Sequence, residues 1–124
     1  MRAVRFESGG RVALVDLPTP EPGEGEVLVR VLAAGVCRTD LHLLQAVAAG
    51  RMDPFVPGHE IAGTVQKAGR GVGHVRAGDA VVVHLEVPCG KCRACVTKRT
   101  NLCENARTLG FDLPGGYAEY VRVP

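Results

Sequence analysis

No tryptophan occurs in this chain of 124 residues, and aromatic side chains make up only 4% of it. Valine, alanine and leucine must therefore supply most of any core. A charge excess is missing as well: 15 basic side chains stand against 13 acidic ones, a formal charge of +2. Nucleic-acid and membrane-surface binders carry a basic stripe, so this balance speaks against both as partners. Long apolar runs are absent. Nothing approaches the roughly 20 residues needed to cross a bilayer. The opening "MRAVRFESGG" holds no apolar run of signal-peptide length. The expected address is cytoplasmic, where thiols stay reduced, and disulfides are then the weaker explanation for the five cysteines.

What is present points to a β-rich domain. The length suffices for one core, and 16 glycines with 8 prolines imply many turns and short strands. "MRAVRF" and "RVALVDL" read as strands split by "ESGG". In "EVLVRVLAAGV", Val27, Val29 and Val31 share one face, and Leu28, Arg30 and Leu32 the other. Thr39 or Asp40 is expected to cap a short helix through "DLHLLQAVAA", stopped by Gly50. "HEIAGTVQKAG" reads as a strand whose central glycine marks a bulge or close approach. "AVVVHL" reads as a buried strand, and "GGYAEYVRVP" has strand character again. The expected fold is mainly β: a barrel or sandwich with one or two short helices and a protruding loop.

That loop, "VPCGKCRACVTKRTNLCEN", holds four of the five cysteines. A reduced thiol cluster serves redox exchange or metal binding. A redox motif needs two cysteines beside a helix start rather than four in a loop. Four thiolates around one tetrahedral ion suit Zn²⁺. Cys89, Cys92, Cys95 and Cys103 are therefore expected to hold a structural zinc, with no position open to substrate. Lys91, Arg93, Lys98 and Arg99 could mark a nucleic-acid-binding zinc ribbon. No aromatic is interleaved for base stacking, so positive charge offsetting a tetrathiolate is the favoured account.

The fifth cysteine opens "CRTDLH", and "PGHEIAG" follows. Each residue has an ordinary alternative. A lone Cys is most often a small buried apolar residue, His42 a surface histidine, Thr39 a helix cap, and Glu60 a partner for a cation. His59-Glu60 is not a metalloprotease HExxH. Cys37 and His59 nevertheless sit at opposite ends of the helix–loop segment and could converge on one ion. A Cys/His pair with one more ligand and an open position is the pattern of a catalytic zinc.

"GVCRTDLH", "PGHEIAGTVQKAGRGV", Gly78–Asp79, "CGKCRAC…NLC" and "GGYAEY" occur in this order along almost the whole chain. In this the sequence resembles the N-terminal catalytic domain of the zinc-dependent alcohol dehydrogenases of the medium-chain dehydrogenase/reductase superfamily, whose fold is a GroES-like β-barrel. The resemblance implies that Cys37 and His59 are catalytic-zinc ligands and that Glu60 is their acidic neighbour or a transient ligand. It implies that Thr39 bonds the substrate hydroxyl, that His42 ends a proton relay to solvent, and that Arg38 touches the cofactor pyrophosphate. Cys89, Cys92, Cys95 and Cys103 match the structural-zinc lobe, within 86–105. Leu85 falls where the family often places a pocket side chain. Zinc and NAD(P) are the implied cofactors, and small alcohols, aldehydes or ketones the implied partners. Homo-oligomerisation is compatible with all of this.

The sequence also departs from the family pattern. The dinucleotide-binding GxGxxG turn is missing, since "GRGVG" has the wrong spacing. A Rossmann cofactor domain is thus expected to lie outside residues 1–124, together with the third ligand of the catalytic zinc. The bare chain is expected to retain about one zinc and to lack activity. Lys98 stands where the family commonly has glycine, and Ala80 where arginine usually follows the Gly-Asp pair. The rival expectations are a stand-alone zinc-binding module without turnover and, less favoured, a GroES-like assembly protein.

Overall fold

The computed structural model describes all of residues 1–124. Strands β1 (Arg2–Glu7) and β2 (Arg11–Asp16) form a hairpin across the short turn Ser8–Gly10. They are followed by β3 (Val27–Gly35), α1 (Arg38–Ala48), β4 (Glu60–Ala68) and β5 (Ala80–Val83). The remaining elements are β6 (Glu86–Val87), the single turn α2 (Arg93–Val96), β7 (Arg107–Thr108) and β8 (Tyr120–Val123). The largest sheet is antiparallel with strand order β5-β4-β3-β8, and β6 pairs with β7. The molecule is mainly strand, as its turn-rich composition implies, and no sheet closes into a barrel. No helix is long and apolar enough to cross a membrane.

Alternation in β3 decides the core. Val29 turns inward and packs with Ile61 of β4, Val121 of β8 and Leu109, each at most 2% exposed. Burying such an aliphatic side chain stabilises by about 1.5–3 kcal/mol. Gly63 at the centre of β4 allows a close approach: a Cβ there would overlap the carbonyl oxygen of Arg30. Just beyond it the register slips, because β3 advances from Val31 to Ala33 while β4 moves only from Gly63 to Ala62. Leu32 is the extra residue of that bulge and points to solvent. The bulge therefore lies in β3, opposite the glycine, rather than at it.

Helix α1 shows the i, i+3, i+7 stripe of a half-buried helix: Asp40, Leu43 and Val47 face inward. Leu43 and Val47 pack on Phe6 of β1, which also meets Phe55 edge-on at 5.9 Å. The cap is neither Thr39 nor Asp40. Cys37 occupies the N-cap position, its sulfur accepting from the Thr39 N–H, while Asp40 at N3 accepts from the Cys37 N–H. The Cys37-x-x-Asp40 spacing forms a capping box with sulfur in place of a hydroxyl. Strand β5 also differs from expectation. It is an edge strand with β4 as its single neighbour, and Val82 is 84% exposed.

Candidate metal centres

Two groups of ligating side chains converge. In the lobe, Cys89, Cys92, Cys95 and Cys103 bring all four sulfurs within 4.8 Å of one another. Individual separations are 3.5 Å for Cys92–Cys95, 3.8 Å for Cys92–Cys103 and 4.0 Å for Cys89–Cys95. Sulfurs bonded at about 2.3 Å to one tetrahedral ion would stand about 3.8 Å apart. A disulfide requires about 2.05 Å, and all five cysteines are free. The lobe has no apolar core to hold this arrangement, since no residue of α2 or of the turn Thr100–Leu102 is buried. Local hydrogen bonds order it, and the four sulfurs could hold an ion. The backbone N–H groups of Lys91 and Cys92 hold the Cys89 thiol down at about 6. The Cys95 N–H likewise lowers Cys92, whereas burial pushes Cys95 up to about 12.

The second group joins distant segments. The Cys37 sulfur lies 3.2 Å from His59 Nε2. The cap places Cys37 at the mouth of α1, and the loop through Pro57 and Gly58 brings His59 to the start of β4. Asp40 sits behind both. Its Oδ2 accepts from the Cys37 N–H at 2.9 Å and from the Tyr117 hydroxyl at 3.0 Å. Its Oδ1 is buried without a hydrogen bond and lies 3.8 Å from His59 Nδ1. An orphaned carboxylate oxygen is costly in such a place. A histidine ligating through Nε2 must keep its proton on Nδ1, which would then face Asp40 Oδ1. Cys37, Asp40 and His59 thus cluster within 4.8 Å, with a sulfur and an imidazole nitrogen of the kind zinc takes and a carboxylate behind them that orients the imidazole.

The other candidates take different places. Glu60 adjoins His59 in the chain but lies outside that cluster; its carboxylate covers the backbone of Gly35, where a Cβ would overlap it. Arg38, Thr39 and His42 are all exposed on the first turns of α1. Thr39 and His42 are three residues apart, hence neighbours on one helix face. Leu85 is half-buried just before β6. Sequence reasoning missed Asp40 as part of the metal cluster and Tyr117 altogether. For Asp40 the capping-box spacing was an available signal; for Tyr117 there was none beyond its place in "GGYAEY".

Residues 23–124 match the family model described as the alcohol dehydrogenase GroES-like domain. The chain is 42% identical over 114 residues to an L-threonine 3-dehydrogenase of Thermococcus kodakarensis, covering 90% of this chain and 33% of that protein. It is 41% identical over 123 residues to a D-altritol 5-dehydrogenase of Agrobacterium fabrum, covering 99% and 37%. Among solved structures, a cobalt- and zinc-bound thermostable alcohol dehydrogenase from Pyrobaculum aerophilum superposes with a TM-score of 0.86 at 44% identity. That match covers 100% of this chain and 39% of the other. The chain therefore spans about a third of the length of the curated relatives it matches.

Proposed function

The chain belongs to the alcohol dehydrogenase GroES-like domain family, and on that footing we propose that it is the catalytic domain of a zinc-dependent, NAD(P)-linked alcohol dehydrogenase. Residues 1–124 would make up the N-terminal domain, with the zinc lobe within 86–105 and the dinucleotide domain outside this chain. The substrates would be alcohols and the matching aldehydes or ketones. Free thiols in this number suit a cytoplasmic address. One observation carries the proposal: the 3.2 Å approach of Cys37 Sγ to His59 Nε2, with the Asp40 carboxylate behind the imidazole.

Cys37 and His59 would hold a catalytic zinc, with a further ligand to come from outside this set. A zinc ion bound there supplies Lewis acidity that lowers the pKa of a substrate hydroxyl. Asp40 keeps the His59 proton on Nδ1 and leaves Nε2 free to ligate. Thr39 accepts the proton leaving the substrate hydroxyl and releases its own, because a hydroxyl both donates and accepts. His42, exposed one turn along, would pass that proton to solvent. NAD(P), held by a domain outside this chain, would supply the hydride acceptor for the substrate carbon. Arg38, exposed beside Thr39, would meet a cofactor phosphate through its guanidinium. Cys89, Cys92, Cys95 and Cys103 would hold the structural zinc.

The test uses the open reading frame that contains this chain, extended as far as it runs. NAD(P)-dependent oxidation of a panel of alcohols is expected, abolished by Cys37→Ser. Zinc bound without any NAD(P)-linked turnover would instead favour a non-catalytic zinc module.

A further inference from the structure

We propose that Tyr117 is a positioning residue for the Cys37–His59 pair, acting through Asp40 and through the loop before His59; this rests on reading that pair as metal ligands. The "GGYAEY" segment has no part in the chemistry derived above, yet it touches every element that carries it. The Tyr117 hydroxyl lies 2.9 Å from the Gly35 carbonyl, two residues before Cys37, and 3.0 Å from Asp40 Oδ2. Both acceptors flank Cys37, and Asp40 Oδ2 also receives the Cys37 N–H. With Oδ2 held by the Cys37 N–H and by the Tyr117 hydroxyl, whose single proton is shared with the Gly35 carbonyl, the carboxylate keeps Oδ1 towards His59 Nδ1. Without the hydroxyl, the carboxylate is free to turn, and the orientation of the imidazole loosens with it.

The backbone of the same segment grips the other ligand. Gly115 N–H donates to the Val56 carbonyl, Gly116 N–H to Gly58 and Tyr117 N–H to Pro57. These three carbonyls belong to the residues immediately preceding His59. Gly58 has φ +95°, and a Cβ there would run into the Tyr117 ring. The ring itself packs on the Phe6, Leu43 and Val47 cluster. Phenylalanine would fill that space equally well, so packing does not account for the hydroxyl.

The test is Co²⁺ titration of the protein made from the extended reading frame that contains this chain, its Cys₄ lobe already filled with zinc, following the thiolate-to-metal charge-transfer band, with Cys37→Ser as blank. Tyr117→Phe should weaken Co²⁺ binding about tenfold and alter the band. Leu43→Ala, which damages the same core without touching the hydroxyl, should lower Tm and leave the affinity unchanged. In the unsubstituted, metal-free protein the Tyr117 hydroxyl proton should give a slowly exchanging NMR resonance with a cross-peak to the Cys37 amide. Equal affinity and an identical band in Tyr117→Phe, equal weakening by Leu43→Ala, or no such resonance overturns the role of Tyr117 alone. A parent protein that binds no cobalt through Cys37 overturns the metal reading of the pair, and this role with it.

Discussion

Cys37 and His59 stand 22 residues apart in the chain, yet the sulfur of one lies 3.2 Å from Nε2 of the other. Neither segment could arrange this alone. Cys37 is fixed by capping α1, and His59 by a loop whose carbonyls are gripped by residues 115–117. Two candidate ligands held by separate elements need a common support, and the buried Asp40 supplies it.

Asp40 therefore has two duties that substitution should separate. Asp40→Ala removes the acceptor for the Cys37 N–H, which should cost about 1 kcal/mol as a lost cap. Stranding that partly buried amide adds up to about 1–3 kcal/mol. Asp40→Asn keeps an acceptor and removes the charge facing His59. We expect it to fold with a Tm close to the parent but to bind Co²⁺ at Cys37 about 10–100-fold more weakly. Thermal denaturation of metal-free protein and cobalt titration check the two halves.

Metal removal should divide the molecule. The lobe around Cys89–Cys103 has no buried side chain in its helical turns, whereas the sheet rests on Val29, Ile61, Leu109 and Val121. A strong chelator should release the amides of residues 93–103 to rapid hydrogen exchange. The amides of β3 and β4 should keep their protection. Equal loss of protection in both regions would mean that the lobe and the sheet unfold together.

The parts of the fold written in local pattern were legible in the sequence. The alternation Val27, Val29, Val31 marked β3, and the tight cysteine spacing marked the lobe. Cys37 and His59 were legible as a pair only because each opens a short stretch of recognisable residue types. Asp40 was readable as a helix-start residue, but its contact with Tyr117 spans 77 residues and leaves no periodic trace. The three valines of β5 suggested burial because hydropathy does not reveal a strand's neighbours. An edge strand and a central strand can carry the same residues.

A pH dependence should come from the junction of β1 with the tail. Glu119 accepts from the Arg2 N–H at 2.8 Å and from its guanidinium at 3.0 and 3.2 Å. The backbone N–H first, then the side chain, lowers the Glu119 pKa below its usual value of 4.5. A carboxylate whose pKa falls on folding adds stability above its unfolded value and loses it as pH drops through the folded one. At neutral pH, Glu119→Gln should melt slightly below the parent, since the pair is exposed and screened. Well below pH 4.5 the two melting temperatures should converge. A gap that persists in acid would trace to geometry rather than charge.

Lys98 is the one residue other than glycine with a positive φ, at 60°. It lies just beyond α2, where its N–H donates to the Cys95 carbonyl and closes the turn that carries a candidate ligand. For an L-residue this left-handed conformation costs roughly 1–2 kcal/mol, which glycine does not incur. The strain explains in physical terms why glycine would suit this position better than lysine. Lys98→Gly should relieve it, less the extra chain entropy that glycine loses on ordering. A net gain of about 1 kcal/mol corresponds to about fivefold tighter zinc retention by the lobe. Competition with a chromophoric chelator measures this directly, and Lys98→Ala supplies the control. Alanine removes the charge but keeps the Cβ, so it should leave retention near the parent value. If alanine tightened zinc as much as glycine did, the ammonium charge rather than the backbone would set the lobe's affinity.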